Sequence, residues 1–404
     1  MTISSLADIN APLVNLYTIS AIGDSQTDFL TPCGVSPDQT WTAQLAKRIT
    51  RIGGYVRTRG FGVAGNTTSQ MLARADVLFN YDAPTIGIIY GGVNDPFSAV
   101  TTQTARAGAS NTITLTSGSS STSGSYVGQV ITTTGGTGSG QSKTIISYDG
   151  STKIATVDSA WSVNPNNTTT YTIAALTQAQ TQANLQALVK VLKFRAIGQG
   201  AGLGCTVWSQ TSLPANGEPG QRYVVMRDTS TTGGVQRSST AQNANITGDY
   251  SASPQQTVWE WRNPQAGESG WARVATSATA AFSDGCAKVL VFTQSYLNWA
   301  SGGDNYNTAA GTGSQYASYV PVRAAATAAA SAESVTLCDV YDFQSKLIYG
   351  GTFNGLTLAS ETTQGSESYH YTAGNQHYNA YGHDTVARAA AQTVVNAGWL
   401  TVLS

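Results

Sequence analysis

The sequence predicts an α/β protein that is built on a parallel five-stranded sheet and interrupted twice by small β-rich insertions. Three observations support this class. Several short apolar runs end in turns of glycine and polar residues, as buried parallel strands do in doubly wound folds. Helix-like stretches lie between these runs. Two long segments rich in serine, threonine and glycine instead alternate short apolar runs with turns, which is typical of antiparallel sheets.

The α/β elements follow one another in the expected order. The apolar runs predict strands at residues 16–22, 55–63, 85–90, 289–293 and 335–340. Helical spacing of apolar residues, or alanine-rich sequence, predicts helices at residues 41–49, 71–78, 177–195, 316–332 and 385–397. The first three strands each end in a turn of glycine and polar residues. Because parallel strands end at one edge of their sheet, these turns are predicted to lie together.

The two insertions separate the α/β elements into three pieces. Short alternating runs in the first insertion lie at residues 112–115, 129–131, 144–146 and 154–157, and those in the second at 223–226 and 258–261. We therefore expect an α/β domain formed by residues 1–97, 176–202 and 278–404, with inserted β modules at 98–175 and 203–277. Four tryptophans, Trp208, Trp259, Trp261 and Trp271, fall in the second module. They are either its core or a sugar-stacking platform, and the core is the more common use.

Composition excludes several classes of protein. Charged residues make up 11% of the 404 residues and the formal net charge is −1, which argues against a nucleic-acid-binding surface. A surface of neutral polar residues suits hydroxyl-rich partners such as glycans. No apolar run is long enough to cross a membrane, and no signal-peptide pattern is present. The four cysteines lie far apart, so we expect buried free thiols instead of disulfides or a metal cluster.

Ser25 is the candidate nucleophile, because it lies where a core strand gives way to a turn. The turn lacks the second glycine of the G-x-S-x-G elbow, which disfavours an ordinary α/β-hydrolase. Any imidazole base must come from His370, His377 or His383, the only histidines in the chain.

Four short motifs carry a resemblance to a known family. They are Gly23-Asp24-Ser25, Gly65 in a Gly-Asn-Thr-Thr turn, Gly92-Val93-Asn94-Asp95, and His377 followed five residues later by Gly382. In this order they resemble the four blocks of the SGNH (GDSL-like) hydrolase superfamily. The resemblance covers the α/β parts and neither insertion. It implies a flavodoxin-like, three-layer α/β/α fold and a serine esterase that needs no cofactor and no metal.

The resemblance also implies a role for each matched residue. Ser25 would be the nucleophile and His377 its base. The oxyanion hole would consist of the Ser25 N–H, the Gly65 N–H and the Asn94 side chain. Simpler roles remain open: Gly65 may only permit a positive φ, Asn94 could cap a turn, and His383 could be a surface residue.

Two further points concern the acidic residues Asp24 and Asp95 and the missing aspartate partner of His377. Asp24 and Asp95 are expected to brace their turns. The family commonly has an aspartate three residues before the histidine, but Gly374 occupies that position here. A main-chain carbonyl could orient His377 instead, or a carboxylate such as Glu367, Asp342 or Asp384. A weak or inactive site is the third alternative, because losing the aspartate costs about 10⁴-fold in the Ser-His-Asp template.

The insertions resemble small β modules of bacteriophage tail and tail-spike proteins. This resemblance implies a virion or extracellular location and phage tail or baseplate proteins as partners. A homo-oligomer stays open, although no coiled coil or β-helix repeat supports a trimer. Together these expectations indicate an O-acetyl esterase acting on an acetylated bacterial surface polysaccharide. The alternatives are a general acyl esterase or lipase, and a non-enzymatic glycan-binding tail protein with a degenerate site.

Overall fold

A computed structural model gives the fold of most of the chain. It describes residues 16–27, 35–51, 55–79, 84–198, 213–231, 235–236, 241–242, 248–253, 255–262, 270–275, 280–295, 314–360 and 377–400. The central sheet has five parallel strands: β1 (Leu16–Gly23), β2 (Tyr55–Gly62), β3 (Ile86–Tyr90), β4 (Lys288–Phe292) and β5 (Thr336–Cys338). Their spatial order is β5-β4-β3-β1-β2, which is the flavodoxin-like order.

Helices cover both faces of this sheet. They are α1 (Trp41–Arg51), α2 (Thr68–Ala73), α3 (Gln178–Phe194), α4 (Ser314–Ala332), α5 (Val340–Tyr349) and α6 (Ala380–Asn396). On one face, Ile88 of β3 packs in a core with residues of α1, α5 and α6. On the other face, the next residue, Ile89, packs with residues of α2, α3 and α4. Successive strand residues point to opposite faces, so this alternation gives three layers and confirms the predicted fold class.

Two boundaries differ from the sequence-based expectation because of helix caps. The fifth strand was expected to run through Val340, but the Asp339 carboxylate accepts a hydrogen bond from the Asp342 N–H at 3.1 Å and starts α5 there. The last helix was expected from residue 385. It begins at Ala380, because the Asn379 side chain accepts from the Gly382 N–H at 2.9 Å.

Each predicted insertion contains an antiparallel sheet. The first sheet has seven strands, at Val100–Thr104, Ala107–Ala109, Thr112–Thr114, Val130–Gly135, Ser142–Asp149, Ile154–Val157 and Thr170–Ile173. The second has five, at Arg222–Asp228, Val235–Gln236, Ala241–Gln242, Gln255–Arg262 and Gly270–Ala275. The limits of the domains themselves stay a prediction.

The tryptophans of the second sheet form its core. Trp259 is fully buried and Trp271 is 5% exposed, and the Trp271 ring contacts that of Trp261 edge to face at 5.3 Å between centroids. Trp208 lies outside the described residues. Because Trp259 and Trp271 have no free ring face, they serve as core and not as a sugar platform.

Other expectations from composition concern cysteines, membranes and metals. Cys286 and Cys338 are buried free thiols, as expected, while Cys33 and Cys205 lie outside the described residues. Among the helices that the structure describes, none combines the length and the apolar character of a membrane span. Within the same part of the chain, no group of three or more histidine, cysteine or acidic residues is arranged to hold a metal ion.

Candidate active site

Ser25 lies in a tight turn at the carboxyl end of β1. The Thr27 N–H donates to the Asp24 carbonyl at 3.0 Å, which closes the turn around Ser25 and Gln26. The turn requires glycine at position 23, because a Cβ there would lie 2.2 Å from Thr27 Oγ1 and 2.4 Å from the Tyr90 carbonyl oxygen. The neighbouring strand thus approaches the backbone closely here, and Ser25 is held at the edge of the sheet.

Gly65 and Asn94 come together beside this turn. The Val63 N–H donates to the Gly23 carbonyl at 3.2 Å, which joins the loop after β2 to the end of β1. Gly65 has φ +76° and is exposed, with no atom within 4 Å of where a Cβ would lie. The Asn94 amide donates from Nδ2 to the Asn66 carbonyl at 3.0 Å. The loops that carry Ser25, Gly65 and Asn94 are therefore directly connected.

The structure agrees with the simpler role of Gly65 but not with that of Asn94. Gly65 does need its positive φ, a conformation that glycine adopts without steric cost. Asn94 makes no side-chain capping bond to the short helix Asp95–Phe97 that follows it. Its Nδ2 carries two hydrogens, and the bond to Asn66 uses one of them. Asn94 is thus oriented as a donor and does not act as a cap.

Asp24 braces the serine turn from a buried position. Its Oδ1 accepts a hydrogen bond from the Gln26 N–H at 2.9 Å, whereas Oδ2 makes none of normal geometry to any described residue. Burial raises the pKa of Asp24 to about 7, although the N–H groups of Gln26, Gly92 and Val93 oppose the shift. Asp24 therefore supports the turn as expected, at an electrostatic cost.

Asp95 braces the loop after β3 in the same way. Its carboxylate accepts hydrogen bonds from the Thr68 N–H at 2.8 Å, the Thr68 hydroxyl at 2.5 Å and the Thr181 hydroxyl at 2.7 Å. Burial raises the pKa of Asp95 to about 6, and these hydrogen bonds counteract part of the effect. Asp95 thus ties the Asn94 loop to the first residue of α2 and to α3.

His377 lies just before α6, and contacts of the residues that follow it place this segment at the same edge of the sheet. The Tyr378 and Tyr90 hydroxyls are 2.5 Å apart, and Tyr90 is the last residue of β3. Trp41 donates from its backbone N–H to His383 Nδ1 at 3.2 Å and from Nε1 to the Gln26 carbonyl at 3.1 Å. The start of α6 is therefore linked through Trp41 to the turn of Ser25.

His383 is not the surface residue that the sequence allowed. It lies in the first turn of α6 and is 1% exposed, because the helix starts five residues earlier than expected. Burial lowers the pKa of His383 to about 4, so its ring is neutral at pH 7. Nδ1 accepts the Trp41 N–H, and Nε2 has no partner among the described residues. His383 therefore has a structural role.

The acidic candidates for orienting His377 are only partly described. Gly374, Glu367 and the competing base His370 lie outside the described residues. Asp384 Oδ1 is 2.5 Å from Arg48 Nη2, and Asp342 Oδ1 is 3.7 Å from Lys346 Nζ. Both of these carboxylates are thus paired with basic side chains. The partner that orients His377 stays a prediction.

A cavity of about 660 Å³ lies along α4, beside β5 and the residues that follow β4. Gln294, Tyr319, Arg323, Asp339 and Tyr341 contribute to its lining. The Tyr319 ring contacts Phe97, which is 54% exposed, edge to face at 5.8 Å between centroids. Burial, and to a smaller extent the charge of Asp24, raises the pKa of Tyr319. Tyr319 thus both lines the cavity and contacts the short helix that follows Asn94.

One residue of the site has no signal in the sequence. Arg74, the residue that caps the C-terminus of α2, donates hydrogen bonds to the ends of β1 and β2 and to Asn66. A single arginine after a short helix matches no motif, so only the structure reveals it.

Comparisons with known proteins find similar solved structures but no matching family. No family model matches the chain, and no curated protein matches it. Among solved structures, the chain resembles TesA with 13% identity over 93% of this chain and 97% of that one, at a TM-score of 0.37. It also resembles a lipase/acylhydrolase from Enterococcus faecalis with 10% identity, 96% and 99% coverage and a TM-score of 0.40.

A third solved structure matches a shorter region. AlinE4, an SGNH-hydrolase family esterase, is 27% identical over 20% of this chain and 43% of that one, at a TM-score of 0.19. The neighbours with a stated activity are thus a lipase/acylhydrolase and an SGNH esterase. All three TM-scores lie below 0.5, so we base the function of this chain on the geometry of its own site.

Proposed function

We propose that this chain is an SGNH-type serine esterase that removes O-acetyl groups from a bacterial surface polysaccharide, as a phage tail-associated deacetylase. One observation carries the esterase part of the proposal: the loops of Ser25, Gly65 and Asn94 are joined by hydrogen bonds at one edge of the sheet, with the start of α6 beside them. That edge is where doubly wound folds bind their ligands.

The proposed reaction has two steps. Ser25 Oγ attacks the ester carbonyl carbon while His377 takes its proton, and the oxyanion accepts hydrogen bonds from the Ser25 N–H, the Gly65 N–H and Asn94 Nδ2. The intermediate collapses, and the leaving alcohol receives the proton from His377. Water then attacks the acyl-enzyme with His377 again as base, which releases acetate and restores Ser25.

The proposed substrate rests on the surface chemistry of the chain. Charged residues are only 11% of the sequence, so the surface is mainly neutral and polar, as suits a glycan. The cavity along α4 has aromatic, amide and charged groups in its lining beside apolar ones such as Val320 and Leu337, and it falls in the size range of small-ligand sites. The virion or extracellular location, the tail or baseplate partners and a homo-oligomeric state belong to the same proposal, through the resemblance of the insertions to tail modules.

A general acyl esterase is the second candidate, and one observation favours it. Val63, Phe97 and Val320 lie at this edge of the sheet and are 42%, 54% and 44% exposed. Exposed apolar side chains around a site are suited to a longer acyl chain. The non-enzymatic glycan-binding alternative requires that Ser25 do no chemistry.

Three measurements on the purified full-length chain separate these functions. Hydrolysis of p-nitrophenyl acetate that is lost in Ser25→Ala and in His377→Ala would support the esterase. A preference for the acetyl over the octanoyl ester, together with acetate release from an O-acetylated polysaccharide, would support the deacetylase. A preference for the octanoyl ester would contradict the deacetylase. A wild-type chain that hydrolyses none of these esters, or hydrolysis that Ser25→Ala leaves unchanged, would favour the binding protein.

A further inference from the structure

Gly65, the proposed N–H donor of the loop after β2, has no side chain to pack and lies at the surface. Gly65 is exposed, and the space around its missing Cβ is empty to 4 Å. Asn94 is held by the carbonyl of Asn66, which belongs to the same loop as Gly65. Catalysis by an oxyanion hole requires donors fixed before the reaction, and an error of 1 Å can cost about 10²-fold in rate. A group beneath this loop must therefore fix it.

Arg74 contacts the end of β1, the end of β2 and the Gly65-Asn66 loop. Its Nε donates to Asn66 Oδ1 at 2.7 Å, its Nη1 to the Phe61 carbonyl at 2.9 Å and its Nη2 to the Gly23 carbonyl at 2.7 Å. Gly23 lies two residues before Ser25, and Phe61 lies near the end of β2. Each nitrogen of the planar guanidinium thus donates one hydrogen bond, and each bond goes to a different segment of the chain. An ammonium group could not make these three bonds in the same geometry.

We propose that Arg74 is the positioning residue of the oxyanion hole, because it joins the Ser25 strand to the Gly65-Asn66 loop and, through the Asn66 carbonyl, to Asn94. Arg74 acts through these residues and makes no contact with the substrate. This inference rests on the proposed esterase function and deepens it. It explains why an exposed, open loop can carry a fixed N–H donor.

The charge of Arg74 suits this place. Burial lowers the pKa of Arg74 to about 10, so the guanidinium remains protonated at neutral pH. Its acceptors are two main-chain carbonyls and one amide, all uncharged. The nearby carboxylate of Asp24 opposes the shift in pKa, so part of the buried negative charge next to Ser25 is offset.

The test compares three variants, one at Arg74 and two at Asn66, with wild type on p-nitrophenyl acetate. Arg74→Lys keeps the positive charge but loses the planar set of guanidinium donors. We expect kcat to fall by about 10- to 100-fold, with KM within about twofold of the wild-type value. Asn66→Ala removes only the acceptor of Nε and should give a similar loss, whereas Asn66→Asp keeps an acceptor and should restore most of kcat. This rescue separates positioning from a general effect on folding.

Arg222 provides a matched control in the second insertion. It also joins three segments, because it bonds to Glu260, to Asp284 and to the Phe194 carbonyl, but it lies outside the site. Arg222→Lys should lower the melting temperature to a similar degree and leave kcat unchanged. If Arg74→Lys retains kcat within about twofold of an active wild type, or if Asn66→Asp is as slow as Asn66→Ala, this inference alone is overturned. A wild-type chain without esterase activity overturns the proposed function as well.

Discussion

Asp24→Asn is expected to remove much of a pH-dependent loss of stability. Asp24 is fully buried, and burial raises its pKa from 3.8 to about 7. The folded chain therefore holds this proton more tightly than the unfolded chain does. The contribution of Asp24 to stability is therefore greatest below pH 3.8 and is lost as the pH rises through about 7, where the folded carboxyl ionises. Between pH 5 and pH 8, these two pKa values give a loss of roughly 2–3 kcal/mol in the free energy of unfolding.

Urea denaturation at several pH values measures this effect. Asparagine replaces one carboxylate oxygen with an NH₂ donor beside the N–H groups of Gln26, Gly92 and Val93. That cost is the same at every pH, so the slope of stability with pH is the quantity to compare. Asp95 has a pKa raised to about 6, so its ionisation adds a further loss of roughly 1–2 kcal/mol in the free energy of unfolding over the same pH range. This loss persists in Asp24→Asn. Asp149→Asn, an exposed carboxylate with a pKa near 2, should keep the wild-type slope. A wild-type stability that is flat or rises from pH 5 to pH 8, or an Asp24→Asn variant with the wild-type slope, would refute the reasoning.

Three further predictions follow from the contacts of the site and its surroundings. Asn94→Ala should lower kcat for p-nitrophenyl acetate by about 10²- to 10³-fold with little change in KM, while the exposed Asn167→Ala should not, and equal kcat values would remove Asn94 from the oxyanion hole. His383→Leu should destabilise the chain by about 1–3 kcal/mol, because the Trp41 N–H loses its acceptor, yet leave the pH profile of kcat unchanged. A shifted acid limb would mean that His383 takes part in the chemistry. Trp259→Phe should lower the melting temperature, because its Nε1 donates to buried Asp228 at 3.1 Å, without changing binding of polysaccharide; weaker binding at unchanged stability would show a sugar platform instead.

The sequence predicted the central sheet well because its strands are buried on both faces. The apolar run expected at residues 85–90 corresponds to β3 (Ile86–Tyr90), whose five residues are all buried. α5 was missed because the short strand β5 ends only two residues before it. Val340, Phe343 and Leu347 do show helical spacing, but Asp339 as the cap is recognisable only once its bond to the Asp342 N–H is seen.

The candidate site could be predicted only for residues that belong to a recognisable local sequence pattern. Ser25, Gly65 and Asn94 each follow a strand in a glycine-containing turn, and parallel strand ends must meet at one edge. The support around them is long-range. Asp95 accepts from Thr181, 86 residues further along, and Arg74 Nη2 reaches back 51 residues to Gly23. No local pattern encodes such pairs, so Asp95 was expected only to brace its own turn and Arg74 was not expected at all.

Both insertions lie in the same crossover connection, between β3 and β4, on either side of α3. The first leaves and rejoins the domain at one point: the Leu176 N–H donates to Ser98 Oγ at 3.0 Å across 78 residues, and Gln129 Nε2 donates to the carbonyls of Ser98 and Ala174. An insertion whose ends are adjacent imposes little strain on its host, and its loop-closure cost grows only slowly with length. The segments that carry Ser25 and His377 belong to other connections. Both β sheets thus lie in the connection between β3 and β4, whereas Ser25 follows β1 and His377 lies just before α6.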